Sequence, residues 1–167
     1  PTQKLIFSSS CTVYGQADEL PITENMPIKD PESPYGNTKK VGEQIIKDTT
    51  KTKDIFNAIA LRYFNPIGAH DSVNIGELPI GTPQNLVPFI TQTALGKLDE
   101  LSVFGDDYPT SDGSGVRDYI HVVDLAKGHL AALMKLKEST EMMTVNLGTG
   151  EGYSVLQMIA AFEAVNN

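Results

Sequence analysis

The sequence predicts an α/β fold in which strands and helices alternate along a parallel sheet. Residues 4–9 form a short apolar run typical of a buried strand, and residues 56–64 form a second one. Between them, residues 34–52 have the periodicity of a helix. A strand, a helix and a strand at this spacing form one right-handed crossover between parallel neighbours, which indicates the α/β class.

The helix over residues 34–52 has a clear start signal. Ser33 is a preferred N-cap residue, and Pro34 fits the first helical position because its missing N–H would have no partner there. The apolar side of this helix is expected to face the sheet. It consists of Val41, Ile45 and Ile46.

The elements that follow continue the alternation. Residues 65–85 are rich in glycine and proline and are too long for a plain connection, so we expect this segment to be functional. In order, the sequence then predicts a helix over 86–95, a short strand over 101–104, a polar loop over 106–115 and an apolar run over 116–120. A helix over 123–136 follows, capped by Asp124 or a residue near it, and then a strand over 143–147 and a final helix capped by Ser154.

Composition and charge limit the possible partners. The chain has 167 residues, 40% of them hydrophobic, and a net charge of -8, which is typical of a globular protein. Its 13 basic residues form no run, which argues against a nucleic-acid or anionic-membrane surface. Cys11 is the only cysteine, so a reducing cytoplasmic setting is expected. The chain opens directly on a strand-like run and stops within a helical pattern, so we expect a fragment.

Other motifs are interpreted as structural. His70, His121 and His129 lack cysteine partners and the spacing of metal ligands, so no metal site is predicted. The aspartates within residues 106–118 do not match a calcium loop, and we expect them to lie in a solvated loop. The turn at 148–152 has three glycines, but a tyrosine stands where a dinucleotide fingerprint needs its last glycine. We therefore expect a tight strand-to-helix connection there.

Tyr35, Lys39 and Ser10 form a candidate proton-transfer site. Helical positions four apart share one face, so the phenol and the ammonium point to the same side, and Ser10 ends the preceding strand. A tyrosine has a pKa of about 10, so acting as a base near neutral pH requires a drop of roughly 3 units, or ~4 kcal/mol. A cation at ~4 Å supplies about that much at an effective dielectric near 20. The alternative is a chance pair on a helix surface, which the neighbouring strand end and helix start disfavour.

With these residues in place, the chain resembles the extended short-chain dehydrogenase/reductase family, and within it the enzymes that act on nucleotide sugars. The resemblance implies a doubly wound, Rossmann-like parallel sheet that binds NAD, here without its N-terminal strands and with part of a smaller substrate-binding domain. It also implies hydride transfer from C4 of a UDP-hexose to NAD, rotation of the 4-keto intermediate and hydride return, which interconverts UDP-glucose and UDP-galactose. The stretches that carry it are Ser8 to Gly15, Ser33 to Gly36, Lys39, and residues 61–70, 85–88, 104–108 and 115–122.

The resemblance assigns roles residue by residue. Tyr35 would be the base, Lys39 would favour its phenolate and hold the nicotinamide ribose, and Ser10 would hydrogen-bond the reacting oxygen. Phe64 would join these three in contacting the cofactor. Besides Ser10 and Tyr35, the substrate-binding residues would be Asn65, Asn85 and Leu86 for the nucleotide sugar, Ser102, Val103 and Phe104 for uracil, and Arg117 for the diphosphate.

The same resemblance predicts the domain organisation and leaves alternatives open. Residues 1–66 would complete the Rossmann-like domain, residues 67–120 would supply substrate-binding loops, and residues 121–167 would return to the main sheet. The full-length protein is expected to be a homodimer through the helix that carries Tyr35, and the isolated chain is expected to be inactive.

Two functional alternatives remain at this point. In a nucleotide-sugar 4,6-dehydratase an Asp-Glu pair would replace Cys11 and Thr12, so the present residues disfavour it. The second alternative is a relative that binds nucleotide sugar or cofactor without turnover. For Arg117 alone, a surface ion pair with Asp118 is the competing interpretation.

Overall fold

The computed structural model describes residues 4–52, 56–138 and 141–166, and it has the alternation of strands and helices that the sequence predicts. A short 3-10 turn, Cys11–Tyr14, follows the first strand. In chain order the elements are β1 (Lys4–Ser10), α1 (Pro34–Thr52), β2 (Asn57–Tyr63), β3 (Asn65–Ile67), α2 (Leu86–Ala94), β4 (Val116–Arg117), β5 (Tyr119–His121), α3 (Val122–Glu138), β6 (Met143–Leu147), β7 (Tyr153–Ser154) and α4 (Val155–Asn166).

The main sheet has three strands in the order β1-β2-β6, and both pairings are parallel. Ser10 lies opposite Tyr63, which in turn lies opposite Leu147, so the carboxyl ends of the three strands coincide. The predicted crossover from β1 through α1 to β2 is therefore confirmed. Two smaller pairs adjoin this sheet: β3 is parallel to β5, and β4 is antiparallel to β7.

The apolar core lies between the sheet and α3. Ile59 and Leu61 of β2 pack with Ala132 and Leu136 of α3, and all four side chains are buried. Burial of one such aliphatic side chain contributes ~1.5–3 kcal/mol, so this small cluster is sufficient to fix α3 on its face of the sheet.

A polar network holds α1 on the opposite face. Arg62 of β2 donates from Nη2 and Nε to the carboxylate of Glu43, at 2.6 and 2.9 Å, and Ser9 donates to the same carboxylate. The Arg62 Nη1 group donates to the Tyr14 hydroxyl, which donates to Asn146 Oδ1, each at 2.7 Å. Because every member has a partner, this network joins α1, β1, β2 and β6 without an unpaired buried charge.

The apolar side predicted for α1 is wrong in two of its three residues. Ile46 is buried, whereas Val41 and Ile45 are 47% and 60% exposed. The helix meets the sheet along the side that carries Glu43. At about 100° per residue, Ile45 lies roughly 200° around the helix from Glu43 and faces away from the sheet.

Two further predictions are corrected by the structure. No strand forms over residues 101–104, which run through an exposed loop. Asp124 itself does not cap α3, but a nearby residue does: the helix begins earlier, and His121 Nδ1 accepts the N–H of Val123 at 3.2 Å, while Asp124 pairs with Lys127 at 2.8 Å.

The cap predicted at the start of α4 is confirmed. Ser154 Oγ accepts the N–H of Gln157 at 3.0 Å, and Gln157 Oε1 accepts the N–H of Ser154 at 2.9 Å. Each side chain thereby satisfies a backbone donor of the other residue, as in a capping box.

The part of the chain that the structure describes contains neither a membrane-spanning helix nor a metal-binding cluster. None of its helices combines the length and apolar character that crossing a bilayer requires. Across residues 4–52, 56–138 and 141–166, no group of three or more His, Cys, Asp or Glu side chains is arranged to hold a metal ion. The proposed domain boundaries at 66 and 120 stay predictions.

Candidate active site

Tyr35 and Lys39 of the predicted site lie together at the carboxyl end of β1, and Ser10 lies at the same strand end without a described hydrogen bond to either of them. Ser10 is the last residue of the strand, and its side chain is buried. Its hydroxyl accepts the N–H of Thr12 at 3.2 Å and so caps the 3-10 turn. Gly15 ends that turn with φ 59°, a left-handed conformation that glycine adopts without a steric penalty.

Tyr35 and Lys39 lie on the first turns of α1. Ser33 Oγ accepts the N–H of Gly36 at 3.1 Å, which confirms the predicted helix start. The Lys39 Nζ atom lies 5.3 Å from the centre of the Tyr35 ring, so the i, i+4 spacing brings the cation and the phenol together. Tyr35 is 55% exposed, which leaves its hydroxyl open to a ligand.

Lys39 is also tied to the end of β1. Its Nζ donates to the carbonyl oxygen of Ser8 at 2.8 Å. The Ser8 hydroxyl lies 2.8 Å from the hydroxyl of Tyr63, which is 2.6 Å from His129 Nε2. His129 Nδ1 lies 2.9 Å from the carbonyl oxygen of Leu125, which ties the imidazole to α3. The strand end that positions the ammonium is thus itself held by side chains of β2 and α3.

Close packing of α1 on β1 makes this arrangement possible. A Cβ atom at Gly42 would lie 2.6 Å from Cζ of Phe7, and one at Gly36 would lie 2.9 Å from Cβ of Pro31. Both distances are too short for real Cβ contacts. Glycine at position 42 therefore allows α1 to approach Phe7 of β1 closely, and glycine at position 36 allows the start of the helix to lie against Pro31 of the preceding loop.

Phe64 and Asn65 extend from the neighbouring strand end. Phe64 donates its N–H to the carbonyl of Leu147 at 3.1 Å, and Asn65 donates both its N–H and its side-chain amide to the carbonyl of Asp118 at 3.0 Å. Gly148 lies against Phe64 and Asp118, since a Cβ atom there would be 2.8 Å from Phe64 and 2.5 Å from Asp118. The glycine turn is a tight connection, as the sequence predicts.

Arg117 approaches the same region from β4. It is exposed, and its Nη1 donates to the carbonyl of Val116 at 2.8 Å. Its charge acts on the thiol of Cys11, next to Ser10, so the guanidinium lies within electrostatic reach of the strand end. The competing ion pair with Asp118 is not formed among the described residues, because that carboxylate accepts hydrogen bonds from Thr149 and Gly150.

Cys11 is not suited to nucleophilic chemistry. Burial raises the pKa of its thiol, and this effect outweighs the lowering by a hydrogen bond with Ser10 and by the charge of Arg117. A thiol with a raised pKa stays protonated near neutral pH, and the thiolate is the reactive form.

The remaining predicted substrate residues lie apart in loops. Asn85 precedes α2 and donates to Glu77 at 3.0 Å, and Leu86 is the first residue of that helix. Ser102, Val103 and Phe104 are exposed, Phe104 by 84%. No hydrogen bond found among the described residues joins these five to Ser10, Tyr35 or Lys39, so their roles stay predictions.

The sequence analysis missed the structural importance of Glu43 and Asp118. Glu43 stands on the inner side of α1, where a charge signals either a buried partner or an error in the assumed helix face. Asp118 was expected to be solvated, but its carboxylate accepts three separate donors of the loop after β6. No local signal would have identified those donors, which lie about thirty residues away in the chain.

Known proteins that are similar to this chain identify its family. The sequence profile of the NAD dependent epimerase/dehydratase family matches residues 1–148. The chain belongs to this family. Its resemblance to nucleotide-sugar enzymes of this kind is thereby confirmed.

Individual relatives are closely similar over almost the whole chain. A UDP-glucose 4-epimerase of Mus musculus is 57% identical over 161 residues, which are 96% of this chain and 46% of that protein. The one of Bacillus subtilis is 56% identical, over 98% of this chain and 48% of that protein. The chain thus spans about half the length of the curated relatives it matches.

Solved structures confirm the Rossmann-like parallel-sheet fold. The UDP-glucose-4-epimerase from Stenotrophomonas maltophila, with bound NAD and formylated UDP-arabinopyranose, matches with a TM-score of 0.94 and 54% identity, over 99% of this chain and 49% of that one. The enzyme from Bifidobacterium longum, in complex with NAD+ and UDP, matches with a TM-score of 0.92 and 52% identity, over 96% of this chain and 48% of that one.

Proposed function

We propose that this chain carries the catalytic residues of an NAD-dependent UDP-glucose 4-epimerase, which interconverts UDP-glucose and UDP-galactose. The observation that carries the proposal is the position of the Lys39 ammonium, 5.3 Å from the Tyr35 ring and bonded to the carbonyl of Ser8. The similarity of the chain to UDP-glucose 4-epimerases that share this fold supports the choice of reaction.

The residues present at the strand end fit NAD. The Lys39 ammonium has three N–H donors and gives one of them to Ser8, so two are left for the hydroxyls of a ribose. Phe64 supplies an apolar ring at the end of the next strand, suited to a flat nicotinamide. When bound, NAD would supply the acceptor and later the donor of the hydride at C4 of the sugar.

In the proposed mechanism, Tyr35 moves the proton that accompanies the hydride. Its phenolate oxygen takes the proton of the sugar 4-hydroxyl, and Lys39 stabilises the phenolate before that transfer. Ser10 donates a hydrogen bond to the reacting oxygen. After the 4-keto sugar has turned over, Tyr35 returns the same proton to the oxygen, so acid and base are one residue and no net proton is released.

We also assign the anchoring of the nucleotide to residues of the loops. Arg117 would bind the diphosphate, because a planar guanidinium forms paired, charge-assisted hydrogen bonds with phosphate oxygens. Asn65, Asn85 and Leu86 would contact the nucleotide sugar, and residues 102–104 would hold uracil. A firm grip on UDP with a loose grip on the hexose allows the keto intermediate to rotate without escape.

The complete protein is proposed to be a cytoplasmic homodimer. The exposed Val41 and Ile45 on the outer side of α1 supply an apolar surface suited to contact with the same helix of a second copy. The single cysteine is consistent with a reducing compartment.

The decisive experiment supplies UDP-galactose to the complete protein and measures the appearance of UDP-glucose. The variant Tyr35→Phe keeps the ring and removes the hydroxyl, and we expect kcat to fall by about 10²–10⁴, the usual contribution of a positioned acid–base group. Tyr108→Phe is the matched control, because Tyr108 is similarly exposed at 53% and has no proposed role.

Two results would contradict the proposal. Interconversion of the two hexoses by the Tyr35→Phe variant at the parental rate would remove Tyr35 from the mechanism. Formation of a 4-keto-6-deoxy product by the parent would instead identify a 4,6-dehydratase.

A further inference from the structure

We propose that Asp118 is a positioning residue for the nucleotide-sugar side of the site. In this inference, which rests on the proposed function, Asp118 joins Asn65 and Arg117 to the loop that follows β6 and so sets where they point. Nothing in the local sequence distinguishes Asp118 from the other aspartates of its loop. The structure distinguishes it by its hydrogen bonds.

The main chain of Asp118 holds Asn65. Its carbonyl oxygen accepts the N–H of Asn65 and the side-chain amide of Asn65, each at 3.0 Å. Asn65 is also opposite Tyr119 in the β3–β5 pair. The orientation of the Asn65 side chain therefore depends on the position of the Asp118 peptide group.

The side chain of Asp118 is fixed in turn by the loop after β6. Its Oδ1 accepts the Thr149 hydroxyl at 2.8 Å, its Oδ2 accepts the N–H of Gly150 at 2.8 Å, and both oxygens lie 2.9 Å from the N–H of Thr149. Three donors from two adjacent residues leave the carboxylate a single orientation, and hydrogen bonds to a charged group are the stronger kind.

Gly148 permits this contact. A Cβ atom at that position would lie 2.5 Å from Asp118 Oδ2, so any other residue would push the carboxylate away from the loop. The same Cβ would lie 2.8 Å from Phe64, the residue assigned to the nicotinamide. The turn over residues 148–152 and Asp118 thus form one unit beside Phe64, assigned to the nicotinamide, and Asn65, assigned to the nucleotide sugar.

Arg117 depends on this unit because its own side chain has no strong anchor. The hydrogen bond that the structure gives its guanidinium is to the adjacent carbonyl of Val116. Its main chain lies opposite Tyr153 in the β4–β7 pair on one side and is bonded to Asp118 on the other. The direction in which the guanidinium leaves the main chain is thereby set by β7 and by the Asp118 carboxylate.

The test measures UDP binding and turnover separately in the complete protein. Asp118→Asn keeps the shape but presents an N–H₂ group to the N–H donors of the loop. We expect the Kd of UDP, measured by calorimetry, and the KM of UDP-galactose to rise about tenfold, which corresponds to roughly 1.4 kcal/mol. The amount of NAD that co-purifies and kcat should stay at the parental level, because the side chains of Ser10, Tyr35, Lys39 and Phe64 are not bonded to this carboxylate.

A control and a second variant keep the test decisive. Asp124→Asn makes the same chemical change at an exposed aspartate of α3 that pairs only with Lys127 among the described ion pairs, and it should leave Kd and KM unchanged. Thr149→Val removes one of the three donors and should raise the Kd of UDP by about threefold, less than a full tenfold step. If Asp118→Asn does not fold, the Kd of UDP for Thr149→Val decides the test.

The outcomes separate this inference from the proposed function. Parental Kd and KM in both Asp118→Asn and Thr149→Val would overturn it, as would a lower melting temperature with unchanged Kd, which indicates a purely structural role. A parent that binds UDP but does not interconvert the hexoses would contradict the proposed function, while the Kd values of the variants still decide the role of Asp118. A parent that does not bind UDP would overturn the inference.

Discussion

Glu43 and Arg62 are charged residues whose side chains are only 6% and 5% exposed. Burial by itself would lower the pKa of Arg62, but the hydrogen bonds with Glu43 and Tyr14 and the charge of Glu43 raise it overall. The Arg62 guanidinium therefore stays charged, and its paired hydrogen bonds with Glu43 compensate for its lost hydration. This pair is the main polar connection between α1 and the sheet.

The variant Glu43→Gln should destabilise the protein strongly. It leaves the guanidinium without a compensating charge, and breaking a buried pair in this way lowers the free energy of unfolding by roughly 3–5 kcal/mol. Urea denaturation of the complete protein would measure this. Asp48→Asn is the control on the same helix, since its pair with Lys51 is exposed and the variant should unfold at nearly the parental urea concentration. Equal stability of the two variants would contradict this interpretation of the network.

At the scale of elements, Asp112 connects the loop over residues 106–115 to the start of α4. It accepts the hydroxyl of Ser154, and it accepts the N–H and the hydroxyl of Ser114 at 3.0 and 2.8 Å. These hydrogen bonds, the one from Ser154 first, lower the pKa of the Asp112 carboxyl. Since Ser154 also caps α4, the ionised carboxylate links the β4–β7 pair to that helix.

The lowered pKa predicts that Asp112 contributes to stability near neutral pH and that this contribution is lost in acid. The contribution is fully present above the unfolded-state pKa of about 3.9 and is lost as the pH falls through the lower folded-state value. We therefore expect Asp112→Asn to melt at a lower temperature than the parent at pH ~7, with a smaller difference at pH ~3. Thermal unfolding of both proteins would show this. Asp107→Asn, in the same exposed loop, should show no such change, and a difference for Asp112→Asn that persists in acid would refute the assignment.

The elements that could be predicted from the sequence are those whose signals are local. Helix α1 runs over the predicted residues 34–52, and β6 over the predicted residues 143–147, because a cap, a proline and an apolar run mark them. The apolar run at 101–104 pairs with no strand among the residues that the structure describes and lies in a loop, so periodicity alone was misleading there.

The short strand pairs could not be predicted because their partners are distant in the chain. Asn65 pairs with Tyr119, and Arg117 with Tyr153, over two or three residues that carry no pattern of their own. For the same reason the site could be predicted only in part. The Tyr35–Lys39 contact follows from helical spacing, whereas the contacts of Asp118 depend on a loop that tertiary packing brings to it.

At the scale of the whole molecule, β1 is an edge strand of the sheet formed by the described residues. An unpaired edge next to exposed apolar side chains favours association with other chains. The relatives are about twice as long as this chain, and the similar structures from Stenotrophomonas maltophila and Bifidobacterium longum contain NAD.

We predict that the 167-residue chain expressed alone neither retains NAD nor stays monomeric. The ultraviolet spectrum of nucleotide released on denaturation and the elution volume in gel filtration would measure the two properties. The complete protein serves as the positive control. Stoichiometric NAD in the purified 167-residue chain would contradict this prediction.

Ser9 and Ser10 are neighbours on one strand, and successive side chains of a strand point to opposite faces. The first hydroxyl donates to Glu43 in the interior, and the second accepts the N–H of Thr12 at the end of the strand. One peptide unit therefore separates the polar network under α1 from the hydroxyl that we propose to contact the sugar. A substitution that repacks the residues under α1 should then also shift that hydroxyl, so thermal stability and turnover would depend on the same short length of backbone.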